Sequence, residues 1–134
     1  MARTLLCEIV TPERILYHNE AQMVVAPAAD GEIGILPLHA PLVALLKPGE
    51  IRVRVDDNEV DWIATSGGYV QVHEDKVIVL ADRAELASRI DVERAREAKA
   101  AIEQRIRELP EKDEAALDEL KWYEVQIAVA GKAR

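Results

Sequence analysis

The stretch Gly31 to Val53 reads GEIGILPLHAPLVALLKPGEIRV, and its punctuation decides the fold. Three glycines (Gly31, Gly34, Gly49) and three prolines (Pro37, Pro41, Pro48) cut an otherwise apolar run into short pieces. One continuous helix cannot accommodate them, because proline removes a backbone donor and glycine weakens helical order. The pieces are therefore short β-strands joined by tight turns.

The same grammar extends on both sides of that stretch, from Thr4 to about Leu80. Leu5, Cys7 and Ile9 alternate with Leu6 and Glu8, and Thr11-Pro12-Glu13 then turns the chain. Ala21, Met23 and Val25 alternate with Gln22 and Val24, which predicts that these three share one face. Ile51, Val53 and Val55 point one way and Arg52 and Arg54 the other; Asp56-Asp57-Asn58 leads back into Val60 and Trp62. Gly67-Gly68 precedes Tyr69 to Val72, and Val77 to Leu80 is a continuous apolar run expected to be buried on both faces. Turn signals at such regular intervals indicate a β-sandwich or flattened barrel.

Beyond Leu86 the period changes from two to between three and four. Val92, Ala95, Ala98, Ile102, Ile106 and Leu109 fall on one helical stripe, with Ser88 or Asp91 as the candidate N-cap and Pro110 as the stop. The short link from Leu109 to Asp113 predicts an antiparallel return. The second helix carries Ala116, Leu120, Tyr123 and Ile127 on one side and Trp122, Val125 and Val129 on nearly the opposite one. Gly131 is expected to end it through a positive φ. Charge divides at the same place: residues 1–88 carry −7 and residues 89–134 carry −1, of the −8 total. The expected organisation is α+β by segregation: an antiparallel β-sandwich over residues 1–87, then a two-helix hairpin over residues 88–134.

That net charge of −8 argues against nucleic acid, whose phosphates demand clustered Lys and Arg. One cysteine, Cys7, excludes an internal disulfide and reads as a small buried hydrophobe. Met1 to Ile9 carries an acid and lacks a long apolar region with a small-residue cleavage site, so the chain is expected to be cytosolic. Ile33 to Leu46 is too short and proline-broken to span a bilayer, which takes about 20 apolar residues. Membrane association is thus expected only through partners.

Catalytic constellations are missing from the pattern. His18, His39 and His73 lie in separate turns without metal-ligand spacing, so neither a metal nor a catalytic residue is expected. Thr65-Ser66-Gly67-Gly68 is not a nucleophile elbow, since Ala64 stands where the first glycine is required; the glycines more naturally mark a bulge or close strand approach. Gly131-Lys132 is followed by Ala133 rather than the Ser or Thr of a phosphate loop. On these residues alone, a free-standing β-sandwich binding module with a helical dimerisation arm is an alternative.

Three further matches narrow the choice. Gly31-Glu32-Ile33-Gly34-Ile35-Leu36-Pro37, then His39 and Pro41, then Ser66-Gly67-Gly68 together resemble the epsilon subunit of bacterial F-type ATP synthase, over nearly the whole chain. The resemblance implies a ten-stranded sandwich with a C-terminal helical hairpin, in a non-catalytic rotor-stalk subunit. Such a subunit couples rotation of gamma and the c-subunit ring to ATP synthesis and restrains ATP hydrolysis through its helices. The implied partners are gamma, the c ring and the catalytic alpha and beta subunits, at the cytoplasmic side of the cell membrane.

By motif, Glu32 matches a c-ring contact and His39 a position near gamma. Ile90-Asp91-Val92-Glu93-Arg94-Ala95 resembles the I/L-D-x-x-R-A sequence that contributes to ATP binding in some members, with Glu85 matching an upstream acid. Ala101, Trp122, Tyr123 and Val125 stand where further arginines are expected, so the resemblance implies no resident cofactor and at most weak ATP as a regulatory ligand. Arg94 and Arg105, eleven residues apart, share one flank of the first helix, and Arg96 and Arg107 form a second such pair. These four are the candidate inhibitory contacts.

Overall fold

The computed structural model describes residues 3–132. Ten strands come first: β1 (Leu5–Val10), β2 (Ile15–Ala21), β3 (Met23–Ala28), β4 (Gly31–Ile35), β5 (Leu42–Leu46), β6 (Gly49–Arg54), β7 (Val60–Thr65), β8 (Gly68–His73), β9 (Lys76–Ala81) and β10 (Ala84–Leu86). A single turn of 3-10 helix, Ala87–Arg89, leads to α1 (Val92–Glu108) and α2 (Glu114–Ala130). The strands hydrogen-bond in the order β10-β7-β6-β3-β5-β8-β9-β1-β2, with β4 on the free side of β3. The junction of β3 with β5 is a single pair, Ala28 opposite Leu46. The sheet folds over at that point into two layers, β2-β1-β9-β8-β5 and β4-β3-β6-β7-β10. All pairings are antiparallel except β1 with β9, which run parallel from Leu6 opposite Lys76 to Val10 opposite Leu80.

Strand alternation aims one side of each layer inward. Leu5, Cys7, Ile9, Val70, Val72, Val77 and Val79 from the first layer meet Val24, Ala26, Ile35, Ile51, Val53 and Ile63 from the second. No phenylalanine is available, so branched aliphatics fill the space, and such side chains also suit the pleated backbone. At the first residue of β8 the backbone of β9 comes too close for any side chain: a Cβ on Gly68 would sit 2.0 Å from the Leu80 carbonyl oxygen, and φ there is +139°. That close approach accounts for Gly68, while Gly67 before it has φ +124° and would set a Cβ 3.2 Å from the Leu46 carbonyl oxygen.

Three expectations are corrected. β2 is a seven-residue strand ending in buried Ala21, and the chain bends at Gln22 before β3 begins. The bend resets the alternation, so Val24 and Ala26 point inward and Met23 and Val25 outward. Val77 to Leu80 is buried on one face only: Val77 and Val79 are inside, whereas Leu80 is 50 % exposed. Gly131 keeps a right-handed conformation (φ −66°), because the final turn tightens and the Lys132 N–H reaches the Val129 carbonyl at 2.9 Å without a left-handed step.

The hairpin follows the predicted division of labour. Asp91, not Ser88, caps α1, its Oδ1 accepting from the Arg94 N–H at 3.1 Å; Asp113 caps α2 in the same way. α1 ends before Pro110 because Leu109 is forced into extended backbone. The two helices pack against each other, with Ala95 and Ala116 buried between or beside them. Trp122, Val125 and Val129 close onto Ala64 and Ala87, with Trp62 and Ile90 at the margin, as a second small core separate from that of the sandwich.

Candidate functional site

The outer face of the first layer carries a set of exposed apolar side chains. Register places Leu45 of β5 opposite Tyr69 of β8, and Tyr69 opposite Leu80 of β9. These three side chains are 53 %, 55 % and 50 % exposed, and Val43 and Ile15 extend the same apolar surface. One exposed apolar residue is ordinary; a row running from strand to strand marks a surface made to be covered. The two-sided hydrophobicity of Val77 to Leu80 was the signal in the sequence, and in the structure its outer half lies open at the surface rather than under a second internal layer.

Glu32 and His39 are not brought together. Glu32 stands at the start of β4, opposite Pro27, beside the β3–β4 turn, and its carboxylate receives the Arg52 guanidinium at 3.1 Å. His39 lies after the other end of β4, in the loop before β5, half-buried, with Nδ1 2.6 Å from the Ala40 carbonyl oxygen. That loop is fastened to the β8–β9 turn, where the Leu38 N–H donates to Asp75 at 2.6 Å. The two residues therefore mark opposite ends of the sandwich. Exposed Leu36 and Leu38 flank His39 and carry the apolar surface to that end.

A groove of about 440 Å³ lies between the β1–β2 turn, the link to the hairpin and the two helices. Glu85, Asp91 and Arg94 all line it, so the structure does gather the three residues drawn from the I/L-D-x-x-R-A motif. It adds three cations that the sequence reading missed: Arg83 and Arg89, which are sequence neighbours of Glu85 and Asp91, and Arg14, brought in from the β1–β2 turn. Glu13 also lines the groove, giving four arginines against three acids. Two of those cations are already engaged, Arg14 with Glu85 at 3.8 Å and Arg83 with Glu119 at 2.7 Å. Asp91 itself is occupied as the α1 cap.

The four arginines of α1 are all exposed. Arg96 pairs with Glu93 at 3.2 Å and Arg107 donates to Gln104 at 2.8 Å, while among the described residues Arg94 and Arg105 have no acid within ion-pair distance. Away from these surfaces, burial pushes the Cys7 thiol up to about 12, with nearby Glu8 adding to the effect. Burial likewise raises Tyr17, whose hydroxyl donates to Asp61 at 2.5 Å. Both groups are held uncharged as parts of the framework. Among the described residues no cluster of His, Cys, Asp and Glu is arranged to hold a metal, and no helix is long and apolar enough to cross a membrane.

Comparison with known proteins agrees with this architecture. A family model described as the ATP synthase Delta/Epsilon chain β-sandwich domain matches residues 4–87. The ATP synthase epsilon chain of Desulforamulus reducens is 51 % identical over 106 residues, covering 79 % of this chain and 80 % of the relative. That of Halorhodospira halophila is 47 % identical over 128 residues, covering 95 % of this chain and 86 % of the relative. Among solved structures, a chain of the Euglena gracilis mitochondrial ATP synthase superposes with a TM-score of 0.78 at 20 % identity, over 93 % of this chain and 80 % of that one. The likeness to that chain is one of fold.

Proposed function

This chain belongs to the epsilon-chain family of ATP synthase, and on that premise we propose that it is a non-catalytic subunit of the rotor stalk. It couples rotation of gamma and the c ring to ATP synthesis and restrains ATP hydrolysis through its hairpin. The observation that carries this reading is the apolar row Leu45, Tyr69 and Leu80 on the outer face of the first layer. A fold with its own closed core has no internal use for that row, whereas a subunit clamped to a stalk does.

In the assembly the sandwich, residues 1–87, is the part held by the stalk, with gamma on the apolar face and around His39. The end bearing Glu32 faces the c ring. The chain then sits on the cytoplasmic side of the cell membrane through its partners, and it supplies no active site of its own. The hairpin, residues 88–134, is the movable part. Docked, it covers Ala64 and Ala87 with Trp122, Val125 and Val129; released, it offers that face and its exposed arginines to gamma and the catalytic subunits. Arg94, Arg96, Arg105 and Arg107 meet carboxylates there, each pair weak alone, at about 0 to 1 kcal/mol.

ATP enters this scheme as a weak regulatory ligand of the groove lined by Glu85, Asp91 and Arg94. Four arginines beside three acids leave little net positive charge for a triphosphate, and two of the arginines would first have to leave carboxylates.

Co-purification tests the main reading. Tagged protein expressed in its own host and drawn from solubilised membranes is expected to bring down gamma and the catalytic subunits. Tyr69→Asp, which places a charge in the middle of the apolar row without touching the core, is expected to abolish that. Recovery of the ATPase subunits at undiminished yield by the variant would show that the apolar row is not the docking face.

A further inference from the structure

Of the ion pairs among the described residues, two cross from the sandwich to the hairpin: Arg83 with Glu119 and Lys132 with Glu50. Each is built in the same way around a tryptophan. Arg83, from the turn after β9, lies 5.4 Å from the ring centre of Trp122 and 2.7 Å from the Glu119 carboxylate, so the sandwich provides the cation and α2 provides ring and acid. Lys132, just past α2, lies 4.7 Å from the ring centre of Trp62 and 3.4 Å from the Glu50 carboxylate. There the hairpin provides the cation and the sandwich provides ring and acid. The two sets bracket the apolar contact made by Val125 and Val129.

We propose that these two cation–tryptophan–carboxylate clamps, of opposite polarity and at opposite ends of the docked face, form an ionic latch that sets how often the hairpin lifts. The inference rests on the reading of the hairpin as a movable element and names what governs it. A cation held over an aromatic face while paired to a carboxylate is fixed from two directions, which neither contact alone achieves. All four charged groups remain partly open to solvent, so the latch is sensitive to screening, unlike the apolar patch between its ends. A second consequence is local control. Loss of Lys132 frees the last turns of α2, and loss of Arg83 frees the turns around Glu119. An anion competing for Arg83 within the groove would open the first clamp alone.

Hydrogen exchange on the full chain tests this, read at α2 and at β9. Between about 0.02 and 0.5 M salt, where the screening length falls from roughly 20 Å to about 4 Å, α2 exchange is expected to accelerate. The rise should be about threefold to tenfold, the range open to surface ion pairs and cation–π contacts. Lys132→Gln is expected to speed Ile127 to Ala130, and Arg83→Gln or Glu119→Gln to speed the turns around Glu119. Lys132→Arg should retain the parent rates. The Lys132→Gln/Arg83→Gln double variant should exchange at low salt as the parent does at high salt, and respond to salt no further. Unchanged protection across Val77 to Leu80 reports that the sandwich remains folded. If α2 exchanges faster than β9 yet is indifferent to salt and to these substitutions, the hairpin moves and the latch is wrong. If α2 is as protected as β9 in every variant at both salts, the hairpin does not lift and both readings fall.

Discussion

Replacing Trp122 by alanine should release the hairpin while leaving the sandwich intact. The indole is 8 % exposed and sits between Ala64, Ala87 and the Arg83 guanidinium, so truncation removes most of the large side chain that α2 buries against the strands. A tryptophan-to-alanine change in a packed site costs about 3 to 5 kcal/mol, and the lower figure suits an interface that can partly collapse. Val125 and Val129, at about 1.5 to 3 kcal/mol each at best, then have to hold the helices with reduced help from the Arg83 clamp. A loss of about 3 kcal/mol multiplies the undocked population about a hundredfold.

Undocked helices of this length are marginal by themselves, so their lysines and arginines become cleavable. Brief trypsin treatment measures this directly, since cleavage follows the population of the open form when opening is fast. The cleavage rate within α1 and α2 should rise about a hundredfold, and a fragment ending near Arg89 should accumulate undigested. A rate within about threefold of the parent would refute the reasoning, because it would mean that α1 and α2 hold their docked arrangement without the largest contact.

Three further outcomes are expected. Alanine at Arg94, Arg96, Arg105 and Arg107 together should raise ATP hydrolysis by the assembled complex and blunt its dependence on salt; an unchanged rate would remove charge as the mechanism of restraint. Calorimetric titration of the isolated chain with ATP should show binding no tighter than roughly millimolar, about −4 kcal/mol. Micromolar affinity lost with Arg83→Ala would show that the groove frees its arginines readily. Alkaline pH should destabilise the fold. Cys7 is raised from 9.0 to about 12, so the folded thiol holds its proton more tightly than the unfolded one; this contribution is complete below pH 9.0 and lost as pH climbs toward about 12. Tyr17 shifts in the same direction. The urea midpoint should fall between about pH 8 and about pH 10.5, less steeply in Cys7→Ala, and equal slopes would exclude the thiol as a cause.

Local periodicity made much of the fold legible. Leu5, Cys7 and Ile9 face inward as their alternation requires, and the stripe from Val92 to Leu109 and the double face of α2 follow from helical geometry. The alternation of β3 was misread because a bend at Gln22 resets its phase, and a bend is a matter of tertiary path rather than composition. β2 left little trace, since its residues are mostly exposed or half-buried and carry no strong apolar pattern. The groove was half legible: Glu85, Asp91 and Arg94 are close in sequence and Arg83 and Arg89 lie beside them, but Arg14 joins them only through the fold. The tryptophan clamps could not be read in advance, because each joins positions dozens of residues apart.

The parallel pairing of β1 with β9 also imposes an order on synthesis. β1 can fold back on β2 almost at once, but its other edge is completed only by residues Lys76 to Leu80. The ribosome must therefore deliver almost the whole sandwich before its first strand is enclosed, and until then Leu5, Cys7 and Ile9 have no opposing layer. The hairpin emerges after the sandwich, when the surface formed by Ala64 and Ala87 already exists. It docks onto a finished template, so lifting it would reverse only the final step of folding.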